Sequence, residues 1–404
     1  SYLTFAINYM ISGENVASYH ATNILIHIIT SFVIFLLFRL ILGLPHVKIL
    51  PNANQQFAFA FLGAVFFAVH PIQTNVATYI VQRMASLSTM FYLLTIYFYS
   101  KGRLRLIESG FSSKVLLLLA LALLTTLFAI WSKLIAVTLP LNIALFEAFF
   151  IRDKQGKTNK KLIYITVSVF ISAVAIVWVT GNLPTGDIGS ASRIDYLMTQ
   201  FRVIPNYLQL LVMPFGLNLW HDIRPSVSFG IYEALGLLLI IGILFIGFKY
   251  LKRNPLVSFG IFFFFIALSS ESSIMPILDA MFEHRTYLPM FGFVCAFVFI
   301  AKDIISTFNN RYVITSLLML SIVFGALTYA RNEVWKTKIS IWEDTVSKSP
   351  NHYESILNLG IALCEDGKRI KEARLLLEKV ITIDSNDYRG YGYLGNALMR
   401  LLKK

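Results

Sequence analysis

Long apolar stretches separated by short polar segments dominate the first 330 residues of the chain. A transmembrane helix needs about 20 mostly apolar residues. On that measure we predict about ten spans, at residues 21–43, 56–72, 83–100, 114–131, 134–151, 161–180, 228–248, 255–275, 286–303 and 312–330. The predicted fold class is therefore all-α, with a polytopic membrane helix bundle over residues 1–330.

Basic residues are concentrated in every second loop between these spans. The loops at 39–56, 101–114, 152–161, 249–253 and 302–311 hold 16 Lys and Arg residues, whereas the intervening loops hold 6. Because cytoplasmic loops collect Lys and Arg, the loops that hold 16 are predicted to be cytoplasmic. Residues 1–20, residues 181–227 and the C-terminal segment are then predicted to lie on the other side of the membrane.

The composition narrows the class of protein. The chain is 56% hydrophobic and 14% charged, whereas an average soluble domain has about 25% charged residues. This excludes an ordinary soluble enzyme, a disordered protein and a disulfide scaffold. The net charge of +13 is explained by the basic cytoplasmic loops, so no nucleic-acid partner is expected. Cys295 and Cys364 lie in segments of different character, and we expect no disulfide between them.

The segment 181–227 is the longest predicted excursion on the non-cytoplasmic side. It begins with the polar, turn-forming sequence at 181–187 and contains an apolar stretch at 203–215 that is too short to span a bilayer. Such an element is typical of a helix that lies on the membrane or dips into it.

The last 74 residues have a different pattern, because 23 of them are charged. Leu359-Gly360 recurs as Leu394-Gly395, and Ala362-Leu363 recurs as Ala397-Leu398, each at an offset of 35 residues. This resembles the tetratricopeptide (TPR) repeat, an α-solenoid unit with a period of 34. We predict a linker helix and a truncated TPR segment over 331–404, with a turn at Gly367. Such repeats serve as peptide-binding or scaffolding surfaces.

Unusual polar residues cluster at the predicted non-cytoplasmic ends of the spans. Ionisable groups at membrane depth are costly unless they pair or line a cavity, so this cluster is a candidate site. Its densest part is Glu283-His284-Arg285, where the arginine offers a planar fork suited to phosphate. The alternative is that these residues make interfacial and helix-end contacts, including an internal Glu–Arg ion pair that closes the interface of two helices. We interpret His27, in the middle of a span, as a helix–helix contact.

Motifs for other chemistries do not occur in the sequence. It has no His-Glu-x-x-His motif, no paired cysteines and no Gly-Lys-Ser/Thr phosphate loop. A metal site is therefore not predicted, and the need for a divalent metal stays open. A pump driven by ATP is disfavoured.

Several stretches together resemble one family. The chain is similar to bacterial multi-pass proteins with C-terminal TPR repeats, which are relatives of the transmembrane-and-TPR O-mannosyltransferases and of the protein O-mannosyltransferase class of GT-C glycosyltransferases. The matching stretches are Tyr19–His27, Phe66–Tyr79, Gln82–Leu87, Phe201–Tyr207, Glu283–Pro289 and Arg331–Trp335.

The resemblance implies a mechanism. Such enzymes transfer a sugar from a polyprenyl phosphate to a protein acceptor outside the cytoplasm, here in protein O-glycosylation on the periplasmic side of a bacterial inner membrane. A carboxylate acts as general base, and the family's acidic loop is expected before Ser1. The expected catalytic residues in this chain are Glu283, His284 and Asp222. The expected contacts to substrate or lipid phosphate are Arg285, Arg83, Arg202, Lys133, His70 and Tyr287.

Two other functions remain open from the sequence. A non-catalytic, membrane-anchored TPR scaffold would dock an envelope, pilus or secretion component through the charged segment. A transporter or lipid flippase would use the same outward-facing polar residues, but inverted repeats, the usual mark of a transporter, are not visible.

Overall fold

The computed structural model describes residues 1–50, 52–179, 192–273, 277, 279–305 and 310–402. Within these ranges every regular element is helical, which confirms the predicted all-α fold. The polar sequence at 181–187 lies outside the described residues. The chain divides into two compact units: residues 1–214, 225–280 and 284–328 form the first, and residues 215–224, 281–283 and 329–404 form the second. The functional assignment of these units stays a prediction.

Thirteen α-helices are described from the start of the chain to the end of the apolar region. They are α1 (Tyr2–Ser12), α2 (Val16–Leu42), α3 (Ala53–Val69), α4 (Thr74–Ala77), α5 (Arg83–Ser109), α6 (Ser113–Ser132), α7 (Leu139–Phe150), α8 (Lys160–Val179), α9 (Arg193–Val212), α10 (Ile231–Tyr250), α11 (Pro255–Leu268), α12 (Pro289–Ile305) and α13 (Asn310–Val334). Short 3-10 turns connect some of them, including Glu283–Thr286 before α12.

Each of the ten predicted spans contains a helix, but the helices differ in length. Among the described residues, four are long and apolar enough to cross a bilayer: Val16–Leu42, Ser113–Ser132, Ile231–Tyr250 and Arg311–Val334. A fifth candidate combines Ala53–Val69 with Pro71–Ala77, bent by 51°. The shorter apolar helices, such as Pro255–Leu268, do not reach bilayer length alone. The chain therefore has the helices of a membrane protein, and ten crossings stay a prediction.

The short apolar element predicted at 203–215 belongs to a longer helix. Helix α9 begins ten residues earlier, at Arg193, because Ser192 and Asp195 form a capping box: the Asp195 backbone N–H donates to Ser192 Oγ, and the Ser192 backbone N–H donates to the Asp195 carboxylate. The sequence prediction missed this polar first turn because it followed only the apolar residues. A position in or on the membrane stays a prediction for α9.

Glycines let helices of the first unit approach closely. A Cβ atom on Gly260 of α11 would lie 2.5 Å from the carbonyl oxygen of Gly292 of α12, and a Cβ on Gly292 would lie 2.5 Å from the Gly260 carbonyl oxygen. Small residues at both positions bring the two backbones together, as is common between membrane helices. Phenylalanine rings fill the space beside this contact, including Phe263 and Phe291, whose centroids are 5.1 Å apart.

The second unit contains four further helices, α14 (Lys338–Lys348), α15 (Tyr353–Asp366), α16 (Ile370–Ile383) and α17 (Tyr388–Leu402). Helix α15 ends at Gly367, which has φ of +76°, so the predicted turn is confirmed. The repeated Leu-Gly pairs lie on α15 and α17, and Ile339 and Trp342 of α14 pack against the same core. This helical arrangement is the one expected of a repeat segment, and its identity as TPR stays a prediction. Cys295 and Cys364 are both free and buried.

Candidate functional site

Arg285 lies in the interior of the first unit. Its side chain is 1% exposed, and its guanidinium donates to the hydroxyl of Tyr196 at 3.2 Å and to the carbonyl oxygens of Ala280 at 3.0 Å and Asp279 at 2.6 Å. A buried guanidinium needs such acceptors, because it stays charged and has five N–H donors. Arg285 therefore fastens the segment before the Glu283–Thr286 turn to α9, and it is enclosed rather than open to a phosphate.

Arg83, the first residue of α5, is enclosed in the same way. It is 0% exposed, and it donates to the side-chain oxygens of Asn23 at 2.7 Å and Asn8 at 2.6 Å and to the Tyr19 carbonyl oxygen at 3.0 Å. The Phe5 ring centroid lies 4.2 Å from its central carbon, a cation–π contact. Through these contacts Arg83 holds α1 and α2 against the start of α5.

His70 and Tyr287 also contact the protein itself. His70 Nδ1 accepts from the Ile72 backbone N–H, so Nε2 carries the hydrogen and donates to the Leu211 carbonyl oxygen at 3.0 Å. This contact joins the bend after α3 to the end of α9. The Tyr287 hydroxyl lies 2.7 Å from His27 Nδ1, and His27 Nε2 donates to the Ala68 carbonyl oxygen. The interpretation of His27 as a helix–helix contact is confirmed.

Two of the predicted phosphate contacts, Lys133 and Arg202, are accessible. The Lys133 side chain is 22% exposed, and its Nζ lies 2.6 Å from Glu271 Oε1. The other carboxylate oxygen, Glu271 Oε2, is buried and has no hydrogen-bond partner among the described residues. The Arg202 side chain is 38% exposed and lies 3.7 Å from Glu233 Oε1. Each of these two cations is therefore paired with its own carboxylate, and each still reaches the surface.

Arg202 lines a cavity of about 410 Å³ between α9 and α10. Pro205 and Gly236 line the same cavity and set the spacing of the two helices. Pro205 has no N–H to donate to the Phe201 carbonyl oxygen four residues earlier. A Cβ on Gly236 would lie 1.7 Å from that oxygen, so only glycine fits there. The backbone of α10 thus packs directly on the carbonyl group that the proline leaves free.

His284, beside Arg285 in the chain, is buried in the first unit. Burial lowers the pKa of His284 well below its usual range, and the positive charges of Lys133 and Arg285 lower it further. The imidazole is therefore neutral at pH 7. A neutral, buried imidazole is a poor source of protons, so the geometry favours a positioning role over the expected catalytic role.

Glu283 belongs to the second unit, where it holds a histidine. Its Oε1 accepts from His221 Nε2 at 3.0 Å and from the Asn218 backbone N–H at 2.5 Å. Glu283 is 1% exposed, whereas His221 is 17% exposed. Because Nε2 carries the hydrogen in this bond, the lone pair of His221 lies on Nδ1. Asp222, the next residue, is exposed on the surface. This is the arrangement of a base that a buried carboxylate orients.

The loop that carries His221 is fixed within the second unit by Ser349, the residue that follows α14. Ser349 Oγ donates to the Trp220 carbonyl oxygen at 2.9 Å, and it accepts from the Asn218 side-chain amide at 2.9 Å. The Trp220 ring lies 5.4 Å from Trp342 and 5.3 Å from His352, measured between centroids. The Asp222 backbone N–H also donates to Ser349 Oγ, at 3.3 Å, so the loop is held on both sides of His221.

The sequence analysis did not single out His221 or Tyr196 as site residues. His221 is 62 residues from Glu283, and Tyr196 is 89 residues from Arg285. For the pair of His221 with Glu283, the dipeptide His221-Asp222 in a predicted outer loop was the feature of the sequence that could have indicated a site residue. Among the described residues, no group of three or more His, Cys, Asp or Glu is placed to bind a metal ion.

Comparison with known proteins gives relatives of one kind. Protein O-mannosyl-transferase F38B6.6 of Caenorhabditis elegans is 25% identical over 383 residues, which covers 90% of this chain and 50% of that protein. Protein O-mannosyl-transferase TMTC3 of Mus musculus is 32% identical over 101 residues, and its Homo sapiens counterpart is 31% identical over 101 residues. Each of these two matches covers 25% of this chain and 10% of the relative.

The chain thus spans half the length of the worm relative and a tenth of the two mammalian ones. No protein-family profile matches the chain. No solved structure matches it either. The relatives support the resemblance to O-mannosyltransferases that the sequence motifs indicate.

Proposed function

We propose that this chain is the membrane part of a glycosyltransferase that acts on protein. The observation that carries the proposal is the similarity to a protein O-mannosyl-transferase over 90% of the chain. A match of that extent includes most of the apolar region, where the accessible cations Lys133 and Arg202 lie. The nature of the sugar is a further part of the proposal, and mannose is the one that the names of the relatives favour.

The donor in this proposal is a polyprenyl-phosphate-linked sugar, and transfer takes place on the non-cytoplasmic side. In the transfer step the acceptor hydroxyl oxygen bonds to the anomeric carbon, while the bond from that carbon to the phosphate oxygen breaks. The bonding pair leaves with the phosphate, and a base takes the hydroxyl proton. The alternation of basic loops in the sequence supports the sidedness.

Among the predicted phosphate contacts we assign this task to Lys133 and Arg202. Cationic donors stabilise the charge that develops on a leaving phosphate, and they must reach it to do so. Lys133 and Arg202 are partly exposed, whereas Arg83, Arg285, His70 and Tyr287 are buried. In this proposal Arg285 and His70 hold α9, the helix that carries Arg202.

Within the second unit we assign a contact with the acceptor protein to His221. Glu283 fixes the imidazole through Nε2, which leaves Nδ1 as a hydrogen-bond acceptor. Asp222 is exposed beside it and can bind a hydroxyl or amide of the acceptor.

The test is mass spectrometry of glycopeptides from cells with and without the gene. Loss of a hexose-sized mass from defined Ser or Thr peptides, restored by the intact gene, would support the enzyme. Lys133→Met and Arg202→Met should fail to restore it, whereas Arg253→Met, at an exposed arginine in a predicted cytoplasmic loop, should restore it fully. An unchanged set of glycopeptides would favour the scaffold instead.

A further inference from the structure

A groove outside the proposed site runs along α2 and α3 in the first unit. It has a volume of about 390 Å³ and is lined by Ser31, Phe32, Phe35, Phe57, Phe61, Ala64, Val65 and Ala68. The one polar side chain in this lining, Ser31, already donates to the His27 carbonyl oxygen at 2.8 Å. The groove therefore presents an apolar wall, and its volume lies in the range of about 300–1,000 Å³ that is usual for ligand pockets.

The phenylalanines give the groove a defined shape. Phe57 and Phe61 are one helical turn apart on α3, and their rings stack with centroids 6.2 Å apart and planes 6° apart. Phe35 of α2 meets Phe57 edge to face, with centroids 5.6 Å apart. The rings of Phe32, Phe57 and Phe61 remain exposed. Aromatic walls of this kind suit a linear hydrocarbon chain.

A cation stands at one end of the groove. Arg39 follows Phe35 by one turn of α2, it is exposed, and its guanidinium carbon lies 5.6 Å from the Phe57 centroid. The first turn of α3 is polar and exposed at the same end, with Asn54 before the apolar residues begin at Phe57. The groove is thus apolar along its phenylalanines and positively charged at the end where the polar residues of α3 begin. An anionic bilayer lipid matches this arrangement, with an apolar acyl chain that ends at a negative headgroup.

We infer that this groove binds an anionic glycerophospholipid of the surrounding bilayer, with one acyl chain along the phenylalanines and the phosphate at Arg39. The guanidinium can give two parallel hydrogen bonds to phosphate oxygens. By the charge alternation of the loops, Arg39 lies at the predicted cytoplasmic end of α2. Arginines near the cytoplasmic leaflet attract anionic lipids. The site is separate from Lys133 and Arg202, and it needs no sugar transfer.

Native mass spectrometry of the purified full chain in detergent tests the inference, with dioleoylphosphatidylglycerol and dioleoylphosphatidylcholine as the probes. The wild-type chain should bind the anionic lipid at least about fivefold more tightly, the effect of one arginine near an anionic headgroup. Arg39→Gln should remove this preference, and Arg39→Lys should keep most of it. Val65→Phe, which fills the groove, should weaken binding of the anionic lipid with Arg39 intact.

Arg253→Gln is the matched control. Arg253 is also exposed and lies 5.4 Å from an aromatic centroid, that of Tyr250, but Tyr250, unlike Phe57 beside Arg39, does not line the groove. The Arg253→Gln variant should bind both lipids as the wild type does. Equal affinity for the two lipids, an unchanged preference in Arg39→Gln, or an equal loss in Arg253→Gln would overturn the inference. Because the assay measures binding alone, its result is independent of the proposed glycosyl transfer.

Discussion

Arg83 donates its Nε hydrogen to Asn23 Oδ1 at 2.7 Å, although 60 residues separate the two in the chain. A second asparagine, Asn8, accepts from the same guanidinium at 2.6 Å, and its amide nitrogen donates to Thr22 Oγ1 at 3.0 Å. The buried charge is therefore surrounded by oxygens whose own hydrogen bonds fix their direction. One side chain at the start of α5 holds the two helices that begin the chain.

Removal of this guanidinium should destabilise the protein strongly. Arg83→Met would leave the side-chain oxygens of Asn23 and Asn8 buried without their donor, and each such group costs about 1–3 kcal/mol. We expect a loss of about 3 kcal/mol, measured as the free energy of unfolding in detergent. Arg253→Met should change it by less than about 0.5 kcal/mol. Equal stability of the two variants would show that the Arg83 contacts contribute little.

The pairing of His221 with Glu283 predicts a loss of activity without a loss of fold. A hydrogen bond to a charged group typically contributes about 1.5–3 kcal/mol, and each 1.36 kcal/mol corresponds to about tenfold in rate. We therefore expect His221→Asn, which removes the imidazole proposed to contact the acceptor, to lower glycosyl transfer by at least about tenfold. Glu283→Ala should have an effect in the same direction, because the imidazole loses the group that orients it. His46→Asn, at an exposed histidine in a predicted cytoplasmic loop, should transfer at the wild-type rate.

The double variant His221→Asn/Glu283→Ala tests whether the two residues act together or independently. If Glu283 acts through His221, the change Glu283→Ala should add little once His221 is replaced, since residues that act as a unit are not additive. Additive losses in the measured transfer rate would contradict the pairing. Asp222→Asn, measured in the same assay, reports whether the exposed carboxylate contributes to acceptor binding.

The elements of this fold could be predicted from local patterns, but the partners of its polar residues could not. The bend at His70-Pro71 and the turn at Gly367 follow from residue types that break or end helices. The apolar stretches located the apolar long helices, because a helix that crosses a bilayer must be apolar along its length, but they missed the polar first part of α9. In contrast, Arg83 and Arg202 have the same charge and both lie near predicted outer ends of spans. Only their packing shows that the first is enclosed and the second is accessible.

His284 should make the stability depend on pH. Its pKa is lowered well below 6.5 in the folded state, so the unfolded state binds more protons below about pH 6.5. The stability should therefore fall as the pH falls from 7 to 5, with a slope of up to about 1.4 kcal/mol per pH unit. His284→Asn should flatten this slope in thermal unfolding measured across that range.

Lys133→Met provides a second test of the contribution of His284 to the pH dependence of stability. The Lys133 charge lowers the pKa of His284, so its removal should raise that pKa and reduce the dependence of stability on pH. An unchanged slope in His284→Asn would mean that other groups carry the pH dependence.

The repeated Leu-Gly pairs of the second unit should respond differently to substitution. A Cβ on Gly360 of α15 would lie 2.9 Å from Leu377 of α16, whereas a Cβ on Gly395 of α17 meets no atom within 4 Å among the described residues. Gly360→Leu should therefore destabilise the unit by about 1–3 kcal/mol through overpacking, and Gly395→Leu should not. Circular dichroism during thermal unfolding of the full chain measures both. Equal effects would contradict the packing of α15 on α16.

The contact of Gly236 with the Phe201 carbonyl oxygen links stability to the proposed phosphate site. Helix α9 carries Arg202, and α10 carries Glu233, which balances its charge. Gly236→Ala would place a carbon 1.7 Å from the Phe201 oxygen, so the two helices must separate. We expect a loss of about 1–3 kcal/mol in stability and reduced glycosyl transfer, because Arg202 moves with its helix.

Gly242→Ala is the control on the same helix, since a Cβ there meets nothing within 4 Å among the described residues. It should be neutral or slightly stabilising, because alanine favours helix by up to about 1 kcal/mol over glycine. Thermal unfolding and transfer assays on both variants separate the two effects. If Gly236→Ala lowers stability yet transfers sugar at the wild-type rate, then the spacing of α9 and α10 does not set the position of a catalytic cation, and Arg202 has no part in binding the donor phosphate.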